Sequence, residues 1–441
     1  FCSGRGAAWQ HSSAPSSPIN MGDSETLARE VIARCQMLAR FSEDVGSIRR
    51  TFLSPPMRDV HRAIAEWITP LDATSQVDAA GNLRIVYPAA DQPAPRLLIG
   101  SHLDTVPNAG AYDGILGVVL AITLLSACEG RKYPFAIEVL GFSEEEGVRF
   151  GTPFIGSRAL VGALDEELLS RRDGQGISVR KAIADFGLNP AEIPQAAIHD
   201  DILGYIEFHI EQGPVLESAH RALAVVEAIA GQTRMEFTFE GHANHAGTTP
   251  MHLRHDALAA AAECVSAIEH HAQNTSGLVA TVGSIQVKPN AVNVIAGETQ
   301  LSLDVRHQSD EVRKRAVDYL IRQAEDIAQR RGVRVRSKKL LDQPAVPMDS
   351  FLVNEVAEAV RRAGCEPYRM VSGAGHDAMI LAAKVPSVII FLRTPGGISH
   401  DPAESVEVDD VAKAINCGLN LLDQLASSSD FLSLPSRTHR A

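Results

Sequence analysis

At 441 residues the chain is about three times the ~150-residue length that serves as a soft prior for one domain. Its composition, 45% hydrophobic and 22% charged, is that of a folded globular protein and excludes collagen-like, coiled-coil and wholly disordered architectures. With 41 Lys and Arg against 54 Asp and Glu, the formal net charge of −13 argues against nucleic acid as a partner, while a small anionic substrate stays compatible because a pocket can be locally positive.

The first 20 residues (FCSGRGAAWQHSSAPSSPIN) lack the apolar stretch of a secretory signal and precede Met21. Residues 1–22 are therefore expected to be a disordered leader, or the product of a misplaced start codon, outside the fold. Apolar residues at helical spacing predict helices over 24–41 and 56–67. RLLI at 96–99 reads as a strand and 114–128 as a helix. The apolar run of that helix, ILGVVLAITLLSA, is shorter than the ~18–20 residues that span a bilayer, so no membrane partner is expected. FAIEVLGF (135–142), YIEFHI (205–210) and SVIIFL (387–392) read as further strands, with helices at 165–184, 351–363 and 377–383. Strands separated by helices imply an α/β fold with a mostly parallel, helix-covered sheet.

A different rhythm occupies 229–341: strand 232–240, helix 254–271, strands 278–287 and 293–306, helix 311–331, strand 333–340. This β-α-β-β-α-β order is the ferredoxin-like α+β pattern. It predicts a domain at 229–341 inserted into an α/β domain formed by 23–228 and 342–441. The six cysteines (Cys2, Cys35, Cys128, Cys264, Cys365, Cys417) are scattered, which suggests neither a disulfide framework nor a zinc ribbon and points to a reducing cytoplasm.

Polar residues follow directly on the apolar strands, at the ends where open α/β sheets bind their ligands. His102 and Asp104 follow RLLIG, and Asp113 stands eleven residues after His102. Ser143-Glu144-Glu145-Glu146 follows FAIEVLGF; His209 closes YIEF and leads to Glu211-Gln212-Gly213; His400 follows SVIIFLRTPGG. A strand-end histidine is ordinarily structural, and an acidic triplet is ordinarily a solvated turn. Three adjacent carboxylates after a buried strand nevertheless repel one another unless a cation neutralises them. Imidazole and carboxylate ligands without thiolate suit a hydrolytic Zn, Mn or Co site. From the residues alone, a metal centre and a solvated acidic turn both stay open.

The segments GSHLDTV, YDG, SEEEG, HIEQG, GHANHAGTTPM, PNAVNVIAG, LDVRH, SGAGHDA and GGISHDPAE occur in order between residues 100 and 404, within a match that runs from about residue 24 to 425. Together they resemble the M20 metallopeptidase superfamily. Within it they resemble the amidohydrolase branch of N-carbamoyl-L-amino-acid hydrolases, β-ureidopropionases and allantoate amidohydrolases. HIEQG is the discriminating segment, since peptidases of the superfamily usually carry a carboxylate where this chain has His209. FSEEEGVRF and FLRTPGGISHDPAE look closer to allantoate amidohydrolases.

The resemblance implies two divalent ions (Zn²⁺ or Mn²⁺, with Co²⁺ a further option), held by His102, Asp113, Glu146, His209 and His400. Asp113 bridges in that arrangement. Glu145 is implied as general base and His245, on the inserted domain, as the oxyanion-stabilising residue, often supplied across a homodimer. Asn293 and Arg306 are implied to grip the carboxylate and ureido group of the substrate, with Gln212 and the Gly375 backbone adding hydrogen bonds. His376 and Asp104 are candidates for orienting ligands, and His242, His252, His255, His270 and His271 for no more than loop or helix-end positions. The implied reaction is hydrolysis of a terminal ureido (carbamoyl) C–N bond, giving ammonia and carbon dioxide through carbamate. A dipeptidase or aminoacylase of the same superfamily and a catalytically silent homologue are the competing readings. His209 counts against the first, and the complete ligand set with Glu145 against the second.

Overall fold

The computed structural model describes residues 21–128, 130–198 and 201–433. The expected leader lies outside these residues except for its last two, which begin helix Met21–Leu38. Four strands form the centre of a nine-stranded sheet, in the order Ala136–Phe142, Arg96–His102, Ile202–Ile210 and Ser387–Leu392, and all run parallel. Every residue of these strands except Arg96 is buried. That explains their sequences: a strand covered on both faces reads as a continuous apolar run rather than an alternation.

Antiparallel strands extend the sheet on both sides: Leu83–Tyr87 and Thr74–Val77 on one, Leu223–Ile229 and Val346–Pro347 on the other. Tyr368–Ser372 runs parallel to Leu223–Ile229. Leu223–Ile229 (LAVVEAI) is as apolar as the central strands, whereas Thr74–Val77, Val346–Pro347 and Tyr368–Ser372 are too short or too polar to stand out in the sequence. Helix Ile115–Ala127 is buried from Ile115 to Leu125, so its apolar run serves the core. Among the described residues no helix is long and apolar enough to cross a membrane.

The helix expected over 165–184 is two helices, Glu166–Ser170 and Val179–Asp185. Asp173 breaks it: its Oδ1 accepts hydrogen bonds from the amides of Gln175 and Ile177 at 3.0 and 2.9 Å, a turn that competes with helix. Ser178 then caps the second helix by accepting from the Lys181 amide.

The chain leaves this sheet at Ile229 and enters a second at Gly231, returning between Gln343 and Val346. The second sheet is antiparallel, ordered Arg334–Gln343, Gly231–Glu240, Glu298–His307, with Val279–Thr281 and Ile285–Lys288 both on the far side of Glu298–His307. The single strand expected over 278–287 is thus two, and the strand expected from 293 starts at Glu298. Helices Ala257–Gln273 and Asp310–Arg331 cover the sheet, and Phe237, Phe239, Leu301, Leu303, Leu320 and Ile327 lie in a separate apolar core. Alternating burial along Gly231–Glu240 and Glu298–His307 marks a sheet with one covered face.

Candidate metal centre

Because the four central strands are parallel and adjacent, their C-terminal ends deliver His102, Glu145, Glu146 and His209 to one edge. Asp113 arrives on the turn before helix Ile115–Ala127, and His400 on the loop after Ser387–Leu392. The ligand atoms form three overlapping groups, each within 4.8 Å: His102, Asp113 and His209; His102, Glu145 and Glu146; Asp113, Glu146 and His400. Asp113 Oδ1 lies 3.2 Å from His209 Nε2 and 3.8 Å from His102 Nε2, while its Oδ2 lies 3.2 Å from His400 Nε2. Glu146 Oε1 is 3.5 Å from the same His400 nitrogen. The two oxygens of one carboxylate therefore face two different sets of ligands.

The protonation pattern fits a metal. His102 Nδ1 is 3.0 Å from the Asp104 carbonyl and His209 Nδ1 is 2.8 Å from the Ile210 carbonyl. A carbonyl only accepts, so both Nδ1 atoms carry hydrogen, and the Nε2 atoms, the positions a metal would take, point inward 3.4 Å apart. Asp113 Oδ1, between them, is buried without a hydrogen-bond partner. Two acceptors, His209 Nε2 and Asp113 Oδ1, thus meet in a closed space, and a cation that displaces the His102 proton satisfies both and takes His102 Nε2 as a third ligand.

The electrostatics agree. Burial drives His209 down to about 4. Burial also works against the His102 cation, but Asp104, Glu145 and Asp113 hold its pKa well above that of a free imidazole. Burial, followed by the neighbouring Asp113, pushes Glu146 up to about 7, and burial raises Glu145 far above the usual carboxylate range. The hydrogen bond with Asp113 lifts His400 to about 8. Buried carboxylates outnumber cations here, and a divalent ion is the charge that balances them.

Asp104 does more than orient His102. Its carboxylate accepts the amides of Glu145 and Glu146 at 2.9 and 3.1 Å, fixing the turn that presents both glutamates. Glu144, the first acid of the triplet, turns away and accepts the Phe52 amide. His376 is buried with its ring edge-on to His209, centroids 4.5 Å apart, and its Nε2 is 3.0 Å from Ser372 Oγ.

A cavity of about 730 Å³ opens over the cluster, lined by Glu145, Glu146, Gln212, Arg306, Gly375 and His400 among others. Two arginines that the sequence did not single out, Arg158 and Arg234, also line it. Arg306 is held by Asp304 (2.8 Å) and donates to the Gly373 carbonyl (2.5 Å), and it also borders a second cavity of about 670 Å³ between the sheets. Gln212 has a left-handed backbone (φ 59°), and its Nε2 donates to Asp113 Oδ2 at 2.9 Å, so it braces the carboxylate as well as facing the cavity. A Cβ on Gly375 would meet the Phe154 ring at 2.9 Å, which keeps that wall of the cavity bare backbone.

His245 and Asn293 line neither cavity. They are exposed and close to each other, with the Ala246 amide donating to the Asn293 carbonyl. The register explains the separation. Arg306 pairs with Gln232 at one end of the second sheet, and Glu298 pairs with Glu240 at the other, where His245 and Asn293 follow. Ten strand residues at ~3.3 Å each put roughly 30 Å between those ends. His242, His252, His255 and His270 are exposed, outside the cluster.

Residues 98–424 match the family model described as peptidase family M20/M25/M40. The chain belongs to this family. It is a hydrolase acting on carbon–nitrogen bonds. A probable allantoate deiminase of Oryza sativa subsp. japonica is 36% identical over 91% of this chain and 89% of its own length. An N-carbamoyl-L-amino acid amidohydrolase of Geobacillus stearothermophilus is 38% identical over 86% and 94%. The crystal structure of a hydantoinase/carbamoylase family amidase from Burkholderia multivorans superposes with a TM-score of 0.85 at 29% identity, over 90% of this chain and 97% of that one.

In this family member one glycine sets the space beside His102. Gly114 has φ 70°, and a Cβ there would come within 2.4 Å of the His102 ring. Gly114→Ala is expected to displace His102 and weaken metal binding by about 10–100-fold, read by calorimetric titration of metal into the apo protein. Unchanged affinity would mean that the ring has room to yield.

Proposed function

We propose that the cluster holds two divalent ions and that the chain hydrolyses the terminal ureido bond of a small carboxylate substrate, with allantoate as the leading candidate. The observation that carries this reading is Asp113, whose two oxygens face separate ligand sets beside a cleft-lining glutamate. Bound divalent ions there supply Lewis acidity and a water acidified toward neutral pH. Glu145 takes the proton of the attacking water and delivers it to the departing nitrogen. The carbamate released falls to ammonia and carbon dioxide.

Arg306 grips the substrate carboxylate, a role in which a planar guanidinium outperforms an ammonium. Arg158 and Arg234 add to the positive wall of the cavity, which suits a small anion on a protein of net charge −13. Gln212 and the Gly375 backbone supply further hydrogen bonds. His245 stabilises the oxyanion and Asn293 binds the ureido group. Their distance from the cleft of their own sheet supports a homodimer in which they reach a second copy's site, and the exposed Met251, Leu253 and Val292 nearby offer apolar surface for that contact. The five cysteines among the described residues are free, which suits a reducing cytoplasm.

Allantoate carries one carboxylate and two ureido groups on a single carbon; an N-carbamoyl-L-amino acid is the second candidate, since relatives of both names match this chain. The test is ammonia release from each compound, by protein stripped with a chelator and reloaded with Mn²⁺ or Zn²⁺. Faster turnover of allantoate is expected. Faster turnover of N-carbamoyl amino acids would reverse the order, and activity without metal would remove the reading altogether.

A further inference from the structure

Four residues beyond His400 stands Glu404, buried at 5% exposure. Its Oε1 accepts the backbone amides of Tyr112 (2.8 Å) and Asp113 (3.1 Å). The segment before Asp113 closes around this carboxylate so tightly that a Cβ on Gly110 would lie 2.4 Å from it. Ser399 Oγ is 3.4 Å from Glu404 Oε2 and 3.2 Å from Asp113 Oδ2, so a single hydroxyl stands between the two acids. Glu404 has no Lys or Arg partner among the described residues, and its charged neighbours are the Asp113 carboxylate and the His400 imidazole. Burying an acid this way costs stability; what it gains is a fixed position for the Asp113 backbone.

The two halves of the centre differ in how they are held. His102 and His209 are buried on central strands with Nδ1 bound to carbonyls, independent of Glu404. His400 is half-exposed on a loop with φ 56°, and its imidazole meets only Asp113, Glu146 and Gln212 among the described residues. Its loop is secured to the Asp113 segment, 291 residues away in sequence, through Glu404.

Resting on the two-ion reading above, we propose that Glu404 is a positioning residue: by holding the His400 loop to the Asp113 backbone it sets chiefly the affinity of the Asp113–Glu146–His400 half for its ion, and disturbs the His102–His209 half less because those two rings are fixed without it. The test titrates Zn²⁺ into the full-length apo protein by calorimetry and counts bound metal by elemental analysis. Wild type should bind two ions; fewer would sink the two-ion reading itself, whatever the variants do. In Glu404→Ala one ion should bind about 10–100-fold more weakly, the usual cost of losing a group that orients a ligand, and the other should be weakened clearly less. Glu404→Gln, whose amide oxygen still accepts both backbone amides, should restore the weakened ion. Glu404→Asp, drawn back by one methylene, should weaken the same ion, and this variant decides the matter if the Ala protein does not fold. Equal weakening of both ions, wild-type binding by the Asp variant, or no rescue by Gln overturns the proposal.

Discussion

With Glu145 replaced by Gln, the protein is expected to bind metal as wild type does and to turn substrate over more slowly by on the order of 10²–10⁴-fold, the range that positioned proton transfer contributes. Gln has the shape of Glu and fills the same space, so the turn held by Asp104 through the Glu145 and Glu146 amides is undisturbed. What is lost is a basic oxygen on the cleft wall. Burial alone pushes the Glu145 carboxyl far up, whereas cations beside it favour the ionised form. The same side chain can thus take a proton and return it within one cycle. Steady-state ammonia release paired with elemental analysis separates the base from a ligand. A variant that loses metal along with activity would make Glu145 a ligand, and one that keeps its activity would leave the proton transfer to another group.

Asp113→Asn should give the opposite combination: metal content below one ion per chain and no measurable turnover, with an apo protein at least as stable as apo wild type. With two ions held as proposed, the carboxylate would serve both ligand sets, and its loss should weaken both ions, each by more than about 100-fold. The stability sign follows from Asp113 Oδ1, a buried acceptor without a partner, 3.2 Å from a second acceptor, His209 Nε2. An Asn amide can donate to that lone pair, exchanging a repulsive contact for a hydrogen bond. Thermal melts in chelator and metal analysis of the purified variant test the two halves. An apo form that melts well below wild type would mean that the carboxylate is structural, and two retained ions would remove it from the bridge.

Much of the centre was legible because a parallel, doubly covered strand announces itself as an apolar run, and the first polar residues after it must lie at the sheet edge. His102, Glu145, Glu146 and His209 are all found this way. Asp113 and His400 lie on turns further from the strands and were singled out with them, while the roles of all six rested on the family resemblance. Glu404, Ser399 and Arg158 gave no such signal. An acid four residues past a histidine on a polar loop reads as solvated, and only the approach of the 110–113 segment reveals that it is buried. The break at Asp173 was missed for a local reason: one carboxylate binding two amides outweighs the helical spacing around it.

The sequence by itself determined the α/β core, the second sheet with its two covering helices, the family, and the side chains that meet at the strand ends. All of these follow from periodicity, chain order and short segments, which are local properties. Only the tertiary structure decided that the two oxygens of Asp113 divide between separate ligand sets, that Glu404 ties two segments together, and that Arg306 faces the cleft while His245 and Asn293 stand at the far end of their sheet. Those outcomes depend on strand register and on close approach between segments hundreds of residues apart, and neither is written in any local stretch of chain.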